Sequence, residues 1–176
     1  MASMDTEHKT ARVALVAGAT RGAGRAIAVE LARAGLYVYA GRSSRAAGRS
    51  EIGRPETIEE TGDLIAAAGG LGTALVVDHE DPAAVSDLVN QIRSERGSLD
   101  VLVNDIFGGD RYAQWDRPLW EHDLAGGLRM LRMGVDTHLI TAQPFRDRAR
   151  RHARPPALGE HAQHVWGCRG HLARRA

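Results

Sequence analysis

Residues 13–35, VALVAGATRGAGRAIAVELARAG, decide how the rest of the chain folds. Val13 to Val16 form an apolar, β-prone run; Gly18, Gly22 and Gly24 punctuate the turn behind it, and the helical stretch that follows stops at Gly35. Glycine is required where a backbone takes a positive φ or lies against a ligand with no Cβ between them. A helix starting directly behind such a turn aims unpaired N–H groups and the positive end of its dipole at the turn's contents, which favours a phosphate. Ile27, Leu31 and Ala34 fall on one helical face and are expected to pack on the sheet. Strand, phosphate turn and helix in this order open a doubly wound, Rossmann-like parallel sheet. The alternative is a plain structural turn, since Gly and Ala abound in loops.

Working outward, Leu36 to Ala40 read as a second strand that ends at GRSSR. In dinucleotide folds an acid near this point accepts hydrogen bonds from the ribose of NAD, whereas an arginine welcomes the 2′-phosphate of NADP. No acid occurs from Leu36 to Ser50, and Arg42 and Ser43 stand where the 2′-phosphate would lie, with Arg21 in the glycine turn able to clamp it from the other side. The pattern favours NADP over NAD, against the bland reading that Arg42 is one more arginine in an arginine-rich chain. Pro55 suits a first helical position ahead of Glu56, Glu59 and Glu60, and Ile58, Thr61, Ile65 and Ala68 form an inner stripe that Gly69-Gly70 stops. Thr73 to Val77 give a third strand, ended by Asp78. Asp81-Pro82 open a third helix whose Val85, Leu88, Val89 and Ile92 make a clean amphipathic face, closed by Gly97. Leu99 to Val103 form a fourth strand with Asn104 at its tip. The loop behind it carries Tyr112, Trp115 and Trp120, which either line a substrate pocket or, the commoner explanation, pack the loop down. A fourth helix is expected over residues 118–143, with Leu124, Leu128, Leu131, Val135 and Leu139 as its apolar seam. The alternation of strands and helices implies a parallel sheet covered on both faces.

The Gly-x3-Gly-x-Gly spacing resembles the short-chain dehydrogenase/reductase family, whose turn usually reads Thr-Gly-x3-Gly-Ile-Gly; Ala17 and Ala23 stand for its Thr and Ile. The segment Asn104-Asp105-Ile106-Phe107-Gly108-Gly109 is similar to the family's Asn-Asn-Ala-Gly, with Asp105 in place of the second Asn. The resemblance spans about residues 11–143. It implies a nicotinamide dinucleotide held by Gly18, Thr20, Arg21, Gly22 and Gly24 at the phosphates, Arg42 and Ser43 at the 2′-phosphate, and Asn104 near the ribose. Asp78 would meet the adenine amino group, although a carboxylate that merely ends a strand reads almost as well. It also implies hydride transfer on a small carbonyl or alcohol substrate. The family's relay asparagine falls at Gly134, which cannot serve. A fifth strand ending in a catalytic Ser and a helix with Tyr-x3-Lys should follow. The only tyrosines are Tyr37, Tyr39 and Tyr112, and the only lysine is Lys9, so no catalytic residue is assigned and the chain is expected to be a truncated, inactive form. A sheet lacking its later strands would expose the edge of the fourth strand and the seam of helix 118–143, favouring self-association.

From Pro144 onward eight arginines face only two acids, with four histidines, three prolines and Cys168 among them. Four readings of residues 144–176 stand. A shifted frame of a GC-rich gene, in line with Lys9 as sole lysine, accounts best for this mixture. The others are a genuinely disordered basic tail, a nucleic-acid-binding arm, weak because its basic half-turns hold one aromatic, Trp166, and no module is recognisable, and a metal site from His161, His164, Cys168 and His171, weakest because zinc needs an ordered frame; no metal ligand is assigned. A formal net charge of +1 over 176 residues argues against nucleic acid or anionic membrane as partner of the whole chain. One cysteine excludes an internal disulfide framework, and MASMDTEHKT has no apolar signal core. A soluble, cytoplasmic protein of one domain is expected.

Overall fold

A computed structural model describes residues 11–42 and 55–145 of the chain. Ser43, the segment 1–10, the histidine and cysteine set and nearly all of the basic tail lie outside the described residues. Four parallel strands, β1 Val13–Ala17, β2 Tyr37–Arg42, β3 Leu71–Val76 and β4 Val101–Asn104, form one sheet in the order β3-β2-β1-β4. Helices α1 Gly22–Arg33, α2 Ile58–Ala67 and α3 Pro82–Arg96 provide the crossovers, and α4 Leu124–Leu131 and α5 Thr137–Ala142 follow β4. Among the described residues no helix is long and apolar enough to cross a membrane.

The period of two along each strand splits the core into two layers. Ala14, Val16, Val38 and Ala40 point to one face, where they meet Ala28 and Ala32 of α1 and Ile58 and Ile65 of α2. Val13, Leu15 and Tyr39 point to the other, against Val85, Leu88 and Ile92 of α3. Each fully buried aliphatic side chain such as Leu15 contributes about 1.5–3 kcal/mol.

The expected inner face of α1 is corrected in part. Leu31 packs against the core as expected, but Gly24, Ala28 and Ala32, spaced four apart, lie against the sheet, while Ile27 is 36% exposed and Ala34 is also exposed. Small residues on the helix over Ala14 and Ala40 let the two backbones approach closely, so the smallest row turns inward. The start of α2 also moves: it begins at Ile58 rather than Pro55. Thr57 Oγ1 accepts from the Glu60 N–H and Glu60 Oε2 accepts from the Thr57 N–H, each at 3.2 Å, a reciprocal cap stronger than a proline start. The α3 reading holds, from the Asp81 cap on the Ala83 N–H (2.9 Å) to Gly97 at φ 75°.

The single helix expected over residues 118–143 is broken. A 3-10 turn at Leu119–Glu121 precedes α4, which Asp123 caps, and a π turn at Arg132–Asp136 joins α4 to α5. The π turn swings Met133 inward onto Gly108, and Thr137 Oγ1 donates to the Met133 carbonyl at 2.6 Å. Leu124, Leu128, Leu131, Val135 and Leu139 all stay exposed.

Behind β3 the chain buries His79 completely. Its Nδ1 lies 2.9 Å from Thr141 Oγ1 of α5, and its Nε2 has no hydrogen-bond partner among the described residues. Burial pushes the imidazole pKa down to about 4; nearby Asp78 opposes this and His138 adds to it. The folded state therefore binds His79 neutral, and the unfolded chain takes up the proton first as pH falls. The associated stability is complete above pH 6.5 and is lost on descent toward pH 4. Denaturant melts at pH 7.5 and pH 5 should show a loss of roughly 2 kcal/mol from this group, and His79→Gln should remove that part of the pH dependence; equal slopes in both proteins would contradict the assignment.

Candidate functional site

The glycine turn lies at the carboxyl ends of β1 and β4. After β1 the chain winds outward to β2 and β3, and then returns to the other side of β1 as β4. In open α/β sheets a crevice at such a reversal is where ligands bind.

The three glycines do different work. Gly18 has φ 92°, and a Cβ there would stand 2.3 Å from the Asp105 carbonyl oxygen. A Cβ on Gly24 would stand 2.3 Å from the Gly18 carbonyl oxygen and 2.9 Å from Asp105 Oδ2. These two positions are glycine because the turn, the first turn of α1 and the end of β4 pack on one another. Gly22 has φ 57° and nothing within 4 Å of where its Cβ would be, so the turn opens outward at that residue. The N–H groups of Gly18 and Ala19 both donate to the Gly41 carbonyl, at 3.0 and 2.9 Å, which fixes the turn to β2.

The start of α1 differs from those of α2, α3 and α4. Helices α2, α3 and α4 are capped by the side chains of Thr57, Asp81 and Asp123. At α1 the N-cap residue is Arg21, which makes no side-chain cap, and the first turn holds no acid. Uncapped N–H groups, a positive dipole end and an open glycine make a fitting place for an anion. That donor set suits a dinucleotide's phosphates.

The other expected site residues are only partly gathered here. Thr20 lies half-buried within the turn. Arg42 ends β2, the strand beside β1, and is buried at 3% exposure. Arg21 departs from expectation: its Nη2 pairs with Asp110 Oδ2 at 2.8 Å, across to the loop behind β4. Asp78, past the far strand β3, accepts the Glu80 N–H at 3.0 Å on Oδ1, which fits the strand-ending reading. Asn104 Nδ2 donates to the His138 carbonyl at 3.3 Å, tying the sheet edge to α5, and its Oδ1 is buried with no partner among the described residues. Gly134 falls inside the π turn, 3.7 Å from Phe107 at its Cβ position. The aromatic loop is corrected in part: Trp115 and Trp120 are 95% and 85% exposed, so they neither line a pocket nor hold the loop down, whereas Tyr112 is half-buried with its ring against Gly126 of α4. The loop is ordered instead by a 3-10 turn at Asp110–Tyr112 and by Asp123, whose N–H donates to Gln114 Oε1 at 2.7 Å.

Sequence reading missed four residues. Asp110 joins Asp105 in flanking the turn from the β4 side, and His79 and the Glu80–Arg129 pair (Nη2 to Oε2 2.6 Å) join the β3 end to the last helices. All are contacts between residues dozens of positions apart, with no local pattern to mark them.

A model of the family described as short chain dehydrogenase matches residues 12–106. The mouse dehydrogenase/reductase SDR family member 1 is 35% identical over 100 residues, which cover 56% of this chain and 28% of that protein. The short-chain dehydrogenase/reductase homolog YusS of Bacillus subtilis is 34% identical over 94 residues, 53% of this chain and 78% of that protein. Among solved structures, the citronellol catabolism dehydrogenase AtuB of Pseudomonas aeruginosa superposes with a TM-score of 0.63 at 25% identity, covering 78% of this chain and 50% of that one. The chain thus spans just over a quarter of the length of the mouse protein and half of the Pseudomonas one.

The glycine geometry predicts an order of stability. Gly22→Ala meets only the cost of a left-handed residue, about 1–2 kcal/mol. Gly18→Ala and Gly24→Ala also drive a methyl group into backbone, and each should lose about 3 kcal/mol or more in denaturant melts. Equal losses at all three positions would contradict the division of roles.

Proposed function

The chain belongs to the short-chain dehydrogenase family, and from that premise we propose that residues 11–143 are the dinucleotide-binding part of a cytoplasmic oxidoreductase that uses NADP. The observation that carries this reading is the bare, positive start of α1 beside the open Gly22. Gly18, Thr20, Gly22 and Gly24 would hold the phosphates; Arg21, Arg42 and Ser43 would meet the 2′-phosphate, Asp78 the adenine and Asn104 the ribose. The bound nicotinamide would exchange hydride with the carbon of a carbonyl or alcohol. Arg21 in the glycine turn, Arg42 at the end of β2 and the lack of any acid from Leu36 to Ser50 are what favour NADP over NAD.

With no Tyr-x3-Lys in the sequence, no phenol is available to be tuned toward neutral pH as the acid and base of that exchange. The polypeptide as it stands therefore binds cofactor without turning over substrate. For the composition of residues 144–176 a shifted reading frame is the reading that accounts best.

A second reading, a non-enzymatic binding remnant, is favoured by one observation: the exposed row Leu124, Leu128, Leu131, Val135 and Leu139 beside the outer edge of β4. Such a row favours association of two copies through that face.

Thermal unfolding with added dinucleotide tests the first reading. A ligand at a hundredfold excess over its Kd adds about 2.7 kcal/mol to the native state, a rise in Tm of roughly 10 °C for a domain of this size. NADPH should raise Tm more than NADH, Arg42→Glu should abolish the difference, and common ketones with NADPH should give no turnover. No shift with either dinucleotide would refute cofactor binding. Sedimentation of the same samples at rising concentration tests the second, and a mass fixed at the monomer value removes it.

A further inference from the structure

Arg21 belongs to the phosphate turn, yet its guanidinium is engaged. It pairs at 2.8 Å with Asp110, a residue 89 positions away in the 3-10 turn behind β4. The pair spans the mouth of the crevice, between the start of α1 and the loop that follows β4. Both side chains keep substantial exposure, 34% and 48%, so the contact forms and breaks without disturbing the core. The loop end of the pair is anchored. The Tyr112 N–H donates to the Gly109 carbonyl at 2.9 Å, and a Cβ on Gly109 would lie 2.5 Å from Met130 of α4. Asp110 is therefore presented by a seated turn, and the long Arg21 side chain reaches across to it.

We propose that Asp110 is a specificity-determining residue: it draws Arg21 away from the 2′-phosphate position and so sets how strongly the site prefers a phosphorylated dinucleotide. This rests on the NADP reading above. A dianionic 2′-phosphate must displace the Asp110 carboxylate from the guanidinium, whereas a dinucleotide without that phosphate leaves the pair intact. The carboxylate thus weakens NADPH and spares NADH. An exposed pair of this kind is worth a modest factor, about two- to fivefold in a binding constant. Arg42, at the end of β2, stays on its own strand and supplies the remaining preference.

Equilibrium binding of NADPH, NADH and adenosine 2′,5′-bisphosphate to the full chain, followed by calorimetry, tests this without any turnover. Asp110→Asn should tighten NADPH and the bisphosphate by about two- to fivefold and leave NADH unchanged. Asp110→Ala should do the same, which guards against one variant folding poorly. The double variant Arg21→Ala/Asp110→Asn separates the pair from simple repulsion. If Asp110 acts through Arg21, the gain vanishes in the Arg21→Ala background. If the gain persists there, Asp110 repels the phosphate directly and the proposal is overturned. Equal NADPH affinity in the native protein and both Asp110 variants also overturns it, while leaving the NADP reading standing. Failure of every protein in the set to bind any of the three probes would take down both.

Discussion

Where the chain leaves β1 its backbone runs so close to the residue leaving β4 that neither Gly18 nor Gly24 has room for a methyl group. That three-way approach of turn, helix start and strand end is the constraint on which the rest depends. It sets α1 down on the sheet at the distance that Ala28 and Ala32 then fill over Ala14 and Ala40. It also fixes β4 beside β1, so that the two strand ends frame a crevice at the point where the winding reverses. Gly22 is left facing outward, and the first N–H groups of α1 are left without a cap.

The electrostatics of this crevice come from unlike parts. Backbone groups and the helix dipole make its floor positive. Arg21 and Arg42 add charge at one end, and the loop behind β4 contributes two carboxylates, Asp105 and Asp110. An anion entering here meets a prepared donor set but competes with acids already present. The last helices are tied to the same region by polar contacts, His79 to Thr141, Asn104 to the His138 carbonyl and Glu80 to Arg129, rather than by a thick apolar layer. The leucines of α4 and α5 point outward.

Much of the fold was legible in local pattern. The Val85, Leu88, Val89, Ile92 spacing located α3, and the Asp81-Pro82 and Gly97 signals bounded it, because caps and periodicity act within a few residues. Residues 13–35 announced strand, turn and helix for the same reason. The inner face of α1 was misread at Ile27 because apolarity was weighed and size was not: the sheet beneath is alanine-rich, and the smallest row lies deepest, with Leu31 at its flank. Pro55 was a good helix start, but the Thr57–Glu60 box is better, and two valid signals compete three residues apart. The π turn at Arg132–Asp136 has no signature beyond Gly134. Of the site, the glycines were readable because a positive φ, as at Gly18 and Gly22, or a close backbone approach, as at Gly24, leaves a residue type behind. The engagement of Arg21 by Asp110 was not, since nothing in either neighbourhood encodes a contact across 89 residues.

The claim at the centre of this account is that the open glycine turn at the start of α1 holds the phosphates of a nicotinamide dinucleotide. Backbone amide resonances followed during titration with NADP test it residue by residue. The account predicts the largest shifts at Arg21, Gly22, Ala23 and Gly24, with a second group at the end of β2, and little change along the α4–α5 row. Shifts confined to that outer row or to the tail, or none at saturating cofactor, would contradict it.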